Sequence, residues 1–76
     1  MRVVWKDGKV YEGPTSLDVV RDMLRAHPFT RDMGEGVYMK AVALRAEVFR
    51  NATVRTGDAV QFLLDLETAG YVRIDA

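Results

Sequence analysis

Seventy-six residues are enough for one hydrophobic core and too few for two, because a chain of this size buries only about 60% of the surface it exposes when unfolded. Eleven basic and eleven acidic residues cancel, so no overall field draws the chain to nucleic acid or anionic lipid, and 49% apolar with 29% charged residues is the balance of a globular protein. With no cysteine, disulfides, thiolate nucleophiles and cysteine metal sites are excluded; charges at Arg2, Lys6, Asp7 and Lys9 break up any leader-like apolar run, and no segment approaches the roughly 20 apolar residues of a membrane span, so a cytoplasmic protein without a membrane partner is expected.

The chain opens on two runs rich in Val, Trp and Tyr, 2–6 and 9–13, around Asp7-Gly8, a favoured pair for a two-residue hairpin turn. That turn sets Lys6 opposite Lys9, Trp5 opposite Val10, Val4 opposite Tyr11 and Val3 opposite Glu12. One face then holds Val3, Trp5 and Val10, and the other Arg2, Val4, Lys6, Lys9 and Tyr11. Gly13-Pro14 breaks the strand, and Thr15-Ser16-Leu17-Asp18 has the spacing of a capping box. A first helix over 16–26 follows, with Leu17, Val19, Val20, Met23 and Leu24 on one side. Asp18 with Arg21 and Asp22 with Arg25 form pairs on the other. Pro28 ends the helix, His27 is placed to cap its carbonyls, and 30–36 reads as a mobile loop.

A second helix over 37–51 carries two apolar stripes: Val37, Ala41, Leu44 and Val48 on one side, and Tyr38, Val42 and Phe49 on another, with Arg45 between them. Such a helix must be covered from two directions. Tyr38, Val42 and Phe49 are expected to meet the sheet or a second subunit, and Arg45 to be at least partly covered and paired with a carboxylate or carbonyls, the alternative being a stem laid over apolar surface with its head in water. A third, strongly apolar helix begins near Asp58 and stops at Gly70, and 71–75 alternates as a final strand with Val72 and Ile74 on one side and Tyr71 and Arg73 on the other. The order β-β-α-α-α-β predicts a single α+β domain over 1–76, its last strand joining the hairpin in a three-stranded antiparallel sheet packed on three helices.

Catalytic chemistry needs groups that can converge, and the inventory is sparse: one histidine, no cysteine, and carboxylates spread over helix faces and turns. No triad, metal-ligand spacing or cofactor motif can be assembled, and Gly34-Glu35-Gly36 before a helix lacks the lysine or third glycine of a phosphate loop.

The last third, Thr56 to Ile74, resembles the second half of a winged helix: a capped apolar helix with Leu63, Leu64 and Leu66, then Glu67-Thr68-Ala69-Gly70-Tyr71-Val72 turning into a strand. The resemblance implies a DNA-binding domain whose third helix enters the major groove. It covers about a quarter of the chain, and the pattern departs from the family in having one strand, hence no wing, and a long connection over 51–57. The stripe that would face the groove, Asp58, Gln61, Asp65 and Thr68, carries two carboxylates.

The expected function is therefore a non-catalytic protein-interaction module that binds another protein or its own copy, with Tyr38, Val42 and Phe49 as the candidate oligomer contact. Its most specific surface is a sheet face bearing Arg2, Lys6, Lys9, Tyr11, Tyr71 and Arg73, suited to an acidic protein segment. Nucleic acid held on the same face, or on the winged-helix-like part, is the alternative.

Overall fold

The hairpin turn sets everything that follows. In the computed structural model, which describes residues 1–75, the Gly8 N–H donates to the Trp5 carbonyl at 2.8 Å and the Trp5 N–H to the Lys9 carbonyl at 2.8 Å. Gly8 sits at φ 92°, in the left-handed region that suits glycine, and the Lys9 N–H donates to Asp7 Oδ1 at 3.0 Å. The loop is thus Lys6-Asp7-Gly8, a turn followed by a bulge, one residue longer than the turn expected from Asp7-Gly8.

That residue shifts the register of the whole hairpin. β1 (Arg2–Trp5) pairs with β2 (Val10–Glu12) as Arg2 with Glu12, Val3 with Tyr11 and Val4 with Val10. Because successive side chains alternate between faces, the slip carries Tyr11 from the outer face to the inner one and Val10 the other way. β3 (Val72–Asp75) pairs with β1 on its other side, Val3 with Ile74 and Trp5 with Val72, giving the antiparallel order β2-β1-β3. The inner face is Val3, Trp5, Tyr11, Val72 and Ile74; the outer face is Arg2, Val4, Val10, Glu12, Arg73 and Asp75.

Three helices complete the expected β-β-α-α-α-β order and cover the inner face: α1 (Ser16–Arg25), α2 (Glu35–Arg50) and α3 (Ala59–Thr68). α1 starts as its sequence dictates. Thr15 Oγ1 accepts from the Asp18 N–H at 3.2 Å and donates to the Asp18 carboxylate at 2.8 Å. Its stripe of Val19, Val20, Met23 and Leu24 is buried, and α1 touches β2, α2 and α3, which makes it the central helix. Close approach at its start requires Gly13, where a Cβ would come within 2.5 Å of the Asp18 Cβ and 2.9 Å of its carbonyl carbon. Asp18 pairs with Arg21 at 3.6 Å as expected, but Asp22 accepts the Glu12 N–H instead of meeting Arg25.

The segment after α1 is a loop, as expected, built from a tied series of turns. Thr30 Oγ1 takes the Leu24 carbonyl at 2.6 Å, the capping role anticipated for His27, and the Arg31 and Met33 N–H groups close two further turns. α2 begins at Glu35, whose carboxylate at the helix N-terminus receives Arg21 Nε at 2.6 Å. It ends at Asn51 in a left-handed cap, φ 52°. α3 is capped by Asp58, whose Oδ1 accepts from the Gln61 N–H at 2.8 Å, and ends before Gly70 at φ 87°. Asp65 on α3 clamps the preceding connection, accepting from the Arg55 N–H at 2.8 Å and Nε at 2.9 Å. Phe62, Leu63 and Leu66 fill the centre of the core. No helix among the described residues is long and apolar enough to cross a membrane.

Candidate functional site

The outer face of the sheet does not carry the expected basic, aromatic surface. Arg2 NH2 lies 2.8 Å from Asp75, and Arg73 NH2 lies 3.6 Å from the same carboxylate. Glu12 is the cross-strand neighbour of Arg2. Two arginines are thus balanced by two carboxylates within one small face, and the Arg2 guanidinium holds the Asp75 carboxyl below its ordinary range, chiefly through their hydrogen bond.

Of the two tyrosines expected there, one is buried and the other already engaged. Tyr11 is in the core because of the register slip. Tyr71 is half-buried, its ring 6.1 Å from that of Trp5, with Lys6 Nζ 5.1 Å and Arg50 Cζ 4.6 Å from its centroid. Its π face is thereby engaged by the chain's own cations. Arg50 is further fixed by donating to the Ala69 carbonyl at 3.2 Å.

What the fold builds instead is a cleft on the other side, about 400 Å³ in volume, between the hairpin, the 27–33 turns and α2. The hairpin supplies Trp5, Lys9 and Tyr11; the turns supply His27, Phe29 and Met33; α2 supplies Tyr38, Val42, Arg45 and Phe49; and Tyr71 closes one end. Six of the seven aromatic residues line it, the exception being the fully buried Phe62. Its floor is buried and its rim exposed: Tyr11 and Tyr38 are buried, whereas Phe29 is 90% and Phe49 78% exposed. Burial pushes the Tyr11 hydroxyl pKa up and that of Tyr38 up to about 12, so both are neutral hydrogen-bonding groups at any ordinary pH.

One atom of a lining residue stands out. Trp5 Nε1 is buried and has no hydrogen-bond partner, the one such side-chain atom among the described residues. An unmet buried donor costs about 1–3 kcal/mol. Around the opening Lys9 and Arg45 are exposed cations with no ion-pair partner among the described residues, and Asp7 is the only carboxylate of the lining.

The site residues expected from sequence are therefore redistributed. Lys9, Tyr11 and Tyr71 reach the cleft; Arg2 and Arg73 are neutralised on the far side of the sheet; Lys6 caps the Tyr71 ring. Tyr38 packs into the chain's own core, Val42 is half-buried, and Phe49 lies open at the rim. Arg45 is exposed and has no ion-pair partner among the described residues, which overturns the covered, paired reading and fits the alternative with its head in water: its position between the α2 stripes puts it at the cleft mouth. Trp5, His27, Phe29 and Met33 were missed. The concentration of aromatics at 5, 11, 29, 38, 49 and 71 was the available signal, but only the fold brings them together.

A wider depression of about 690 Å³ lies where α1 and α3 begin, between Met1, Leu17, Met39 and Val60. Its polar side chains include the caps Thr15 and Asp58, both committed to their own helices. The aromatic cleft is where free groups converge. No group of three or more His, Asp or Glu side chains is placed to hold a metal ion among the described residues. No protein-family model, curated protein or solved structure matches the chain.

Proposed function

We propose that the chain is a non-catalytic binding module that takes a short acidic peptide segment, anchored by a large apolar side chain, into the aromatic cleft. The carrying observation is the convergence of six aromatic side chains on one cleft whose mouth bears Lys9 and Arg45, cations with no ion-pair partner among the described residues. An apolar side chain of the peptide replaces water against Tyr11, Tyr38 and Val42. Lys9 and Arg45 at the mouth favour an acidic flank over a basic one. Nucleic acid is the weaker reading, since the face it would need has its arginines paired with Asp75 and the Tyr71 ring already covered.

Panning displayed heptapeptides on the chain, then following Trp5 emission as the selected peptides are titrated, tests the proposal. Selected sequences should pair an aromatic or large aliphatic residue with Asp or Glu. Lys9→Ala with Arg45→Ala should weaken them about tenfold, while Arg2→Gln with Arg73→Gln should leave affinity unchanged. Binding that depends on Arg2 and Arg73 but not on Lys9 and Arg45 would place the surface on the outer sheet face and sink the cleft.

A further inference from the structure

The cleft uses one flank of α2 and leaves the neighbouring outer face of that helix unexplained, the two meeting at Ala41. Val37 is 61%, Leu44 61% and Val48 68% exposed, and Ala41 lies open between them. At 100° per residue these four form one straight stripe, and it points away from Met39 and Ala46, the residues that bury α2 against the domain. Their spacing of four, three and four is that of a two-helix seam, in which such positions interlock across the contact.

We infer that this stripe is the contact between two copies of the chain, their α2 helices packed antiparallel about a two-fold axis. The inference is independent of the cleft and goes beyond it. The charges beside the stripe select both the occupant and its direction. Lys40 and Glu47 flank one edge, are exposed, and have no ion-pair partner among the described residues. With the helices antiparallel, Ala41 packs opposite Leu44 of the second copy and Val37 opposite its Val48. Lys40 then lies beside Glu47 of the second copy, and the same pair recurs across the axis. With the helices parallel, Lys40 would instead lie beside Arg45 of the second copy, cation against cation.

The surface is self-complementary in one orientation only. Ala41 at the middle of the stripe lets the two backbones approach closely. From Val37 to Val48 the stripe is roughly 17 Å long, a little over half of the 29 Å longest dimension of the domain. A single helix pair falls at the low end of stable interfaces, below about 1,200 Å², which sets dissociation in the micromolar range, roughly 1–100 μM.

Sedimentation of the whole chain across that range, up to about 1 mM, should show monomer giving way to dimer. Leu44→Glu should remain monomeric throughout with an unchanged helical circular-dichroism signal, because the position is solvent-exposed in the single chain. Val48→Lys is a second, independent disruption should Leu44→Glu lose its helical signal. Lys40→Glu should weaken the dimer about tenfold, and Lys40→Glu combined with Glu47→Lys should restore it. A wild-type chain that stays monomeric at about 1 mM overturns the inference, as does a dimer indifferent to both disruptions. Tighter association of Lys40→Glu alone would mean parallel helices and overturn it equally. Peptide binding by a strictly monomeric Leu44→Glu chain would separate this outcome from the fate of the cleft.

Discussion

α1 and α2 pack side by side yet spend their apolar residues differently. α1 gathers Val19, Val20, Met23 and Leu24 on one side and buries them all. α2 sends Tyr38, Met39 and Ala46 inward, but leaves Val37, Leu44, Val48 and Phe49 largely in water. The first distribution is fully accounted for by the stability of the chain. The second is not, since exposed contiguous apolar surface on a small domain marks a place where something else binds. Phe49 belongs to the cleft on one flank of α2, and the Val37–Val48 stripe to its outer side.

Truncations test this contrast most strongly. Met23→Ala in α1 should lower unfolding free energy by about 2–5 kcal/mol, because it empties a site only 1% exposed. Leu44→Ala in α2, measured by the same urea titration on dilute monomer, should change it by no more than about 0.5 kcal/mol. Comparable losses at both positions would mean that the outer stripe is part of the folding core, and the contrast between the helices would collapse.

The setting of α1 against the sheet can be broken at Gly13. Gly13→Ala drives a Cβ against Asp18 backbone and side chain and should cost about 1–3 kcal/mol, read as a lowered urea midpoint. Gly36→Ala, at the start of α2 where an added Cβ meets nothing within 4 Å, should be neutral or slightly stabilising.

The connection after α2 is held by Arg55 and Asp65, and pH sharpens how far that clamp matters. The hydrogen bond from Arg55 lowers the Asp65 pKa, as that from Arg21 lowers the Glu35 pKa. Carboxylates with lowered folded-state values contribute stability above their unfolded range, and the contribution is lost as pH falls through the folded one. Thermal midpoints should therefore decline on acidification below about pH 4, and Asp65→Asn should be less stable at neutral pH with a shallower acid decline. An acid limb of unchanged steepness in Asp65→Asn would show that the clamp does not carry it.

The smallest effect is expected at the cleft itself. Trp5→Phe removes the unmet buried donor, so stability should stay level or rise by up to about 1 kcal/mol while affinity for a selected peptide falls. A clear loss of stability in this variant would show that the indole serves packing before it serves binding.

The chain's own residues determined its elements and their order. Thr15 with Asp18, Asp58 and Gly70 mark helix ends through local hydrogen bonds and backbone conformation, and the alternation of Val72 and Ile74 names the inner face of β3 without any tertiary information. The two stripes of α2 were equally plain as a pattern of angles around a helix. Which stripe faces inward was not, because periodicity fixes relative directions on a helix and only packing against α1 fixes the absolute one. The hairpin register was likewise undetermined. Asp7-Gly8 suits a two-residue turn, but the longer loop with Gly8 in the bulge position is the one that buries Tyr11 beside Val3 and Val19 in the core. From that single residue of slip follow the loss of the basic sheet face and the assembly of the aromatic cleft. Tertiary packing alone chose between them, since burying a tyrosine ring outweighs the small local preference between two turns.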